Sequence, residues 1–185
     1  MSKVALIISL NFNPGHVSHM VASYKQCGEL GYTSYYYVVP EFVEFLPTDS
    51  RKLVYGQDKI DGCDVAFFLF PAKANLKVIH HLKSKFKSKI VYIFHEPLAS
   101  MKVYREAGFS YKYLAKLWVI NRISALTVKW SDVILLPSRK AVELYEQNKL
   151  YRNENFHNLP LLFDDENTSE YTQIERKYFS YIYVG

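Results

Sequence analysis

The sequence predicts an α/β protein, a Rossmann-like doubly wound parallel sheet with helices on both faces. Three observations predict it. Short runs such as Val4–Leu10 and Val65–Phe70 are almost wholly apolar, as expected of strands buried on both faces. Longer segments with apolar residues at helical spacing alternate with these runs. Several of the runs are closed abruptly by a proline, as at Pro71, Pro137 and Pro160.

Val4–Leu10 is the first strand, and Asn11–His16, with Pro14 and Gly15, is a loop. Val17–Leu30 reads as a helix stopped by Gly31. Thr33–Val39, β-branched and rich in tyrosine, is the second strand. Pro40–Gln57 is ambiguous and reads as loop with a short strand or a turn of helix. Asp61-Gly62-Cys63-Asp64 leads into the strand Val65–Phe70. Asn75–Phe86 is an amphipathic helix with its lysines outside, and Lys89–Phe94 is a strand closed by His95-Glu96-Pro97. A long helix follows over Tyr111–Trp130, then a strand over Asp132–Leu136 and a helix over Arg139–Asn148. Phe156–Leu159 is a last short strand of this unit, and the polar segment Asp164–Lys177 reads as a connector. Phe179–Gly185 reads as a strand running into a glycine turn, the start of a new strand–loop–helix unit. A domain over residues 1–163 is therefore expected, with 164–185 as linker and first strand of a second domain.

Bulk properties narrow the function. A hydrophobic content of 49% and a charged content of 22% describe a globular chain. The 16 tyrosines and 12 phenylalanines fit either half-wet gripping surfaces or an AT-rich gene. A net charge of +5 favours anionic partners, unless the lysines are an ordinary solvated surface. Two cysteines without CxxC spacing, Cys27 and Cys63, suggest a reducing compartment and no zinc site. No run approaches the ~20 apolar residues of a membrane span, and no histidine cluster has metal-ligand spacing. Gly-x-Ser-x-Gly, Walker and GxGxxG sequences are missing, as are nucleic-acid motifs.

In an open doubly wound sheet, ligands bind beyond the carboxyl ends of the strands. That rule selects Asn11–His16, Pro71–Lys73, His95–Pro97 and Pro137–Arg139. Gly15 lets a ligand approach the backbone, and the following helix start can offer N–H groups to an anion, although a plain tight turn explains the same residues. His95 and Glu96, at the exit of a buried strand, could hydrogen-bond a sugar hydroxyl or move a proton, or form a structural pair. Ser138 is a good N-cap, and Arg139 behind it could reach a phosphate. The long helix carries Lys112, Lys116 and Arg122 among Tyr113, Trp118 and Ile120. It reads either as a core helix with a basic outer face or as one lying on an acidic membrane surface.

The order of these passages resembles the N-terminal, acceptor-side domain of GT-B glycosyltransferases of the retaining family 4 type. Asn13-Pro14-Gly15-His16 stands at the family's glycine-bearing loop, and His95-Glu96 at its histidine–acid pair. Ser131-Asp132-Val133-Ile134-Leu135-Leu136-Pro137-Ser138 is similar to its ADxIxxxS passage. Asn158-Leu159-Pro160-Leu161-Leu162-Phe163-Asp164 resembles the stretch before its interdomain linker.

The resemblance implies the N-terminal half of a GT-B fold and a hexosyl transfer with retention. A nucleotide-sugar would be the donor, and a saccharide or lipid-linked molecule the acceptor, in surface polysaccharide or glycolipid synthesis. His95 and Glu96 would be catalytic, Gly15 and His16 would face the donor phosphates, and Asn13, Ser138 and Arg139 would line the acceptor cleft. Lys112, Lys116, Trp118 and Arg122 would face a membrane. No cofactor, no metal and no nucleic acid are expected; the nucleotide-sugar is a substrate. The location expected is cytoplasmic, with attachment to the inner face of the membrane as a further expectation. The family's donor-binding acid pair lies in the second domain, so this chain alone is expected to be inactive. A non-catalytic binding or membrane-recruiting subunit of a split glycosyltransferase is the alternative.

Overall fold

The computed structural model describes residues 3–93, 101–147, 151 and 153–159, with only the backbone at Val103. The sequence expectations at His95, Glu96, the linker over 164–185 and the strand Phe179–Gly185 lie outside these residues.

Seven strands form one sheet: β1 (Val4–Ser9), β2 (Thr33–Val38), β3 (Lys52–Val54), β4 (Val65–Leu69), β5 (Lys89–Ile93), β6 (Val133–Leu136) and β7 (Phe156–Asn158). Their order is β3-β2-β1-β4-β5-β6-β7, and every neighbouring pair is parallel. Five helices connect them: α1 (Val17–Glu29), α2 (Lys73–Phe86), α3 (Met101–Glu106), α4 (Tyr111–Trp130) and α5 (Arg139–Gln147). This is the doubly wound, Rossmann-like α/β fold that the sequence predicts.

Strand pleating sorts the side chains into two cores. Leu6, Ile8, Ala66, Phe68, Ile90, Tyr92 and Ile134 meet α2 through Val78, Ile79 and Leu82, α4 through Ala125 and Val128, and α5 through Ala141 and Tyr145. Ala5, Ile7, Tyr36, Val38, Val65 and Leu69 meet α1 through Met20, Val21 and Cys27 on the other face. Both faces are thus apolar, which is why strands such as β1 read as unbroken apolar runs and not as alternating ones.

The ambiguous Pro40–Gln57 segment holds both options: a 3-10 turn over Pro40–Phe45, then β3 as a short edge strand. Phe42 pins the turn to the α1-side core, fully buried. Helix α2 begins two residues earlier than its periodicity suggests, at Lys73. The short helix α3 was not legible from apolar spacing. Gly108, at φ 78°, closes the turn after it, and Ser110 caps α4 by accepting from the Tyr113 amide.

Two aspartates fix strand starts in the same way. Asp64, just before β4, accepts from the Val4 amide of β1 at 2.7 Å. Asp132, just before β6, accepts from the Ile90 amide of β5 at 2.7 Å through Oδ2. Its Oδ1 takes Lys83 Nζ at 2.9 Å, and the same ammonium donates to the Trp130 carbonyl at 2.8 Å. Strand edges otherwise leave such amides unpaired, so these carboxylates lock register between neighbours. The aspartate of the Ser131–Ser138 passage is therefore a structural group at the amino rim, away from the carboxyl ends of the strands.

Asp132→Ala is expected to lower the unfolding free energy by about 1.5–3 kcal/mol, the range for a charge-assisted hydrogen bond to a buried amide. Urea denaturation monitored by circular dichroism measures it. A loss below about 0.5 kcal/mol would show that the register does not depend on this carboxylate.

Candidate functional site

The strand order reverses direction between β1 and β4. In such sheets the chains leaving the two strands part to opposite sides, and a crevice opens at their carboxyl ends. The residues there are Leu10–His16 after β1 and Phe70–Ala72 after β4.

The first loop is tightly self-bonded. Asn13 Oδ1 accepts from the Gly15 amide at 3.0 Å, and the Asn13 carbonyl accepts from the His16 amide at 3.0 Å. The Val17 amide donates to the Pro14 carbonyl. The 3-10 turn Pro14–His16 thus runs into α1 with these three amides already engaged. Asn13 is the cap that organises the loop, and the Gly15 amide is not left open to an anion in this state. A Cβ at Gly15 would meet only Asn13 Oδ1, at 3.4 Å, and Gly15 is not among the positive-φ residues. Neither backbone strain nor crowding among the described residues requires glycine at this exposed position.

His16 is not on the surface. It is 7% exposed, its ring lies parallel to that of Phe70 at 3.2 Å between centroids, and its Nδ1 is buried without a hydrogen-bond partner among the described residues. Burial, with His19 nearby, lowers its pKa from 6.5 to about 4. At neutral pH the imidazole is uncharged. In that state it can meet an anion only as a neutral N–H donor.

Phe70 is a residue that sequence reasoning missed. Its φ is 67°, in the left-handed region, and it stands directly before Pro71. Bulky residues avoid this region, and residues before proline are normally extended. Asn75, 1% exposed in the first turn of α2, donates to the Phe70 carbonyl at 2.8 Å and helps hold the bend. Strain of this kind costs about 1–3 kcal/mol and gathers at ligand-handling positions. The only trace of it in the sequence is the apolar run carried right up to Pro71.

Ser138 and Arg139 follow β6 on the same rim, because all strands are parallel. β6 is three strand spacings from β1, about 14 Å. Ser138 Oγ accepts from the Ala141 amide at 3.1 Å, so it caps α5, and Arg139 is exposed in the first turn. The structure brings Asn13, Gly15 and His16 together at the switch point and sets Ser138 and Arg139 further along the rim. His95 and Glu96 belong to the loop after β5, between these two groups in sheet order, and lie outside the described residues.

Lys112, Lys116, Trp118 and Arg122 lie elsewhere, along the exposed side of α4. Trp118 is 53% exposed, and the Arg122 guanidinium sits over its ring at 5.3 Å. Among the described residues no helix is long and apolar enough to cross a membrane, and no group of three or more His, Cys, Asp or Glu could hold a metal ion. Burial pushes the Cys27 and Cys63 thiols up to about 11, so neither is a thiolate nucleophile at neutral pH.

No family model and no curated protein matches the chain. Among solved structures it is similar to one titled as a putative UDP-N-acetylglucosamine 2-epimerase from Listeria monocytogenes, at 11% identity and a TM-score of 0.45. The match covers 80% of this chain and 43% of that one, so the chain spans less than half the length of that protein.

His16 provides a pH test. Its folded pKa lies below the unfolded value, so the unfolded chain binds more protons between the two, and stability falls as pH drops from 6.5 towards 4. Between pH 7 and pH 5 wild type is expected to lose about 2 kcal/mol that His16→Phe does not lose. Chemical denaturation at the two pH values measures the difference. Equal losses in both proteins would mean that the imidazole titrates normally.

Proposed function

We propose that this chain is the acceptor-side half of a GT-B glycosyltransferase of the retaining family 4 type. It would transfer a sugar from a nucleotide-sugar to a saccharide or lipid-linked acceptor. The observation that carries the reading is the placement of the motif loops. The passages at Asn13–His16 and Pro137–Arg139 leave parallel strands at one rim, the first of them at the switch point. A glycine that the fold itself does not require supports it, since close approach of a ligand to the backbone is the remaining reason for Gly15. The engaged Gly15 amide implies that the Asn13 side chain gives way when a donor phosphate binds.

In this reading His95 lies beside the transferred sugar and Glu96 supports it or the acceptor, roles carried from the family resemblance. His16, uncharged and stacked on Phe70, shapes the crevice wall. Ser138 holds the start of α5, where Arg139 can reach an anionic group of either substrate. The donor is completed by a second domain, and no metal is used.

Membrane attachment belongs to the same proposal. Helix α4 is about 30 Å long; it meets the sheet core through Ala125 and Val128, late in the helix, and its first turns are largely exposed. Those turns expose Tyr111, Tyr113, Trp118 and Val119 beside Lys112, Lys116 and Arg122. Aromatic rings at the interface level with basic residues around them suit an acidic bilayer surface, each base contributing about 1 kcal/mol. This surface also favours the alternative, a membrane-recruiting subunit of a split transferase.

Transfer by the full-length gene product, assayed over a panel of nucleotide-sugars and saccharide acceptors, tests the enzyme reading. His95→Ala is expected to abolish turnover with folding intact. Gly15→Ala is expected to keep wild-type stability while losing at least tenfold in turnover. Undiminished turnover in His95→Ala would remove that residue from the mechanism.

Flotation with liposomes tests the surface. Vesicles containing acidic lipid are expected to bind the chain and neutral vesicles to bind it weakly. Reversal of Lys112, Lys116 and Arg122 to glutamate is expected to release it. Binding indifferent to those charges would count against α4 as the contact.

A further inference from the structure

We infer that Phe12 and Phe45 form a stacking ledge for a neutral pyranose ring of the acceptor, with the Asn11 and Asn13 amides holding its hydroxyls. The inference deepens the proposed function and rests on it for the word acceptor. Phe12 lies in the loop after β1, and Phe45 ends the 3-10 turn after β2. Strands β1 and β2 are parallel neighbours, so both rings stand at the carboxyl rim beside the switch point.

Phe42 explains how the ledge is held. It is fully buried and meets Phe12 edge-to-face at 4.9 Å. Phe12 meets Phe45 at 5.5 Å and a tilt of 47°. Yet Phe12 stays 37% and Phe45 51% exposed. Core packing accounts for Phe42 and leaves the wet faces of the other two unexplained.

The polar groups beside the rings select the occupant. Phe12 sits between Asn11 and Asn13, both exposed. Asn13 Oδ1 is committed to the Gly15 amide, which leaves its Nδ2 as a donor; Asn11 keeps a donor and an acceptor. A pyranose presents C–H groups on its face and hydroxyls at its edge. An aromatic face flanked by amides matches both. The 3-10 turn also carries Glu41 and Glu44, both exposed, on the face next to the one that Phe42 and Phe45 share. Two carboxylates next to the rings disfavour a phosphate, a nucleotide or an acidic lipid headgroup. The ledge is therefore distinct in chemistry from the basic surface of α4.

The test uses the full-length gene product with Phe12→Leu and Phe45→Ala, both at exposed positions. The probes are methyl glucoside, methyl galactoside, methyl mannoside and N-acetylglucosamine, titrated while the phenylalanine ring resonances are followed by NMR. At least one sugar is expected to shift the Phe12 and Phe45 signals, and each variant to weaken its binding roughly two- to tenfold. Affinity for the nucleotide-sugar is expected to be unchanged in both variants. The inference falls if no sugar moves these rings, if acidic vesicles or UDP move them instead, or if neither variant weakens sugar binding. Failure of the parent reading looks different: wild type would bind no nucleotide-sugar, whatever the rings report.

Discussion

A sheet whose described strands all run parallel cannot be closed by hairpins. Each strand must be reached by a crossover, and each crossover helix must cover one face. That constraint puts every carboxyl end on one rim, and with right-handed crossovers the reversal of winding between β1 and β4 sends helices to both faces, so both are apolar. The amino rim is occupied by groups that secure register, Asp64 and Asp132 on the amides of neighbouring strands. The carboxyl rim carries the loops free to meet a ligand.

The switch point is less open than its loops suggest in sequence. Asn13 spends its side chain on Gly15, and His16 turns inward onto Phe70. The strained Phe70 backbone and the His16 Nδ1, buried without a partner among the described residues, sit next to each other at the reversal. Backbone strain of this kind gathers at positions that handle ligands.

Two aromatic surfaces of opposite charge character are exposed in separate places. The start of α4 is aromatic and basic, with Arg122 laid over Trp118. The Phe12–Phe45 edge is aromatic with carboxylates and amides around it.

The sequence alone determined the fold class, because an apolar run such as Val4–Leu10 has no stable place except inside a covered parallel sheet. It also determined which loops share a rim, since strand direction follows from alternation with helices. Helix ends with strong local chemistry, Gly31 after α1 and Ser138 before α5, were legible for the same reason: capping is a local interaction. What only the tertiary structure decided involves partners far apart in the chain. His16 looked like a surface loop histidine until Phe70, 54 positions on, supplied the ring that covers it. Asp132, part of the ADxIxxxS-like passage in sequence, has both its oxygens claimed by Ile90 and Lys83. Phe12 is brought beside Phe42 and Phe45 only by the packing of neighbouring strands. Burial, charge state and exposure belong to the packed neighbourhood, and no spacing along the chain specifies which residues will form it.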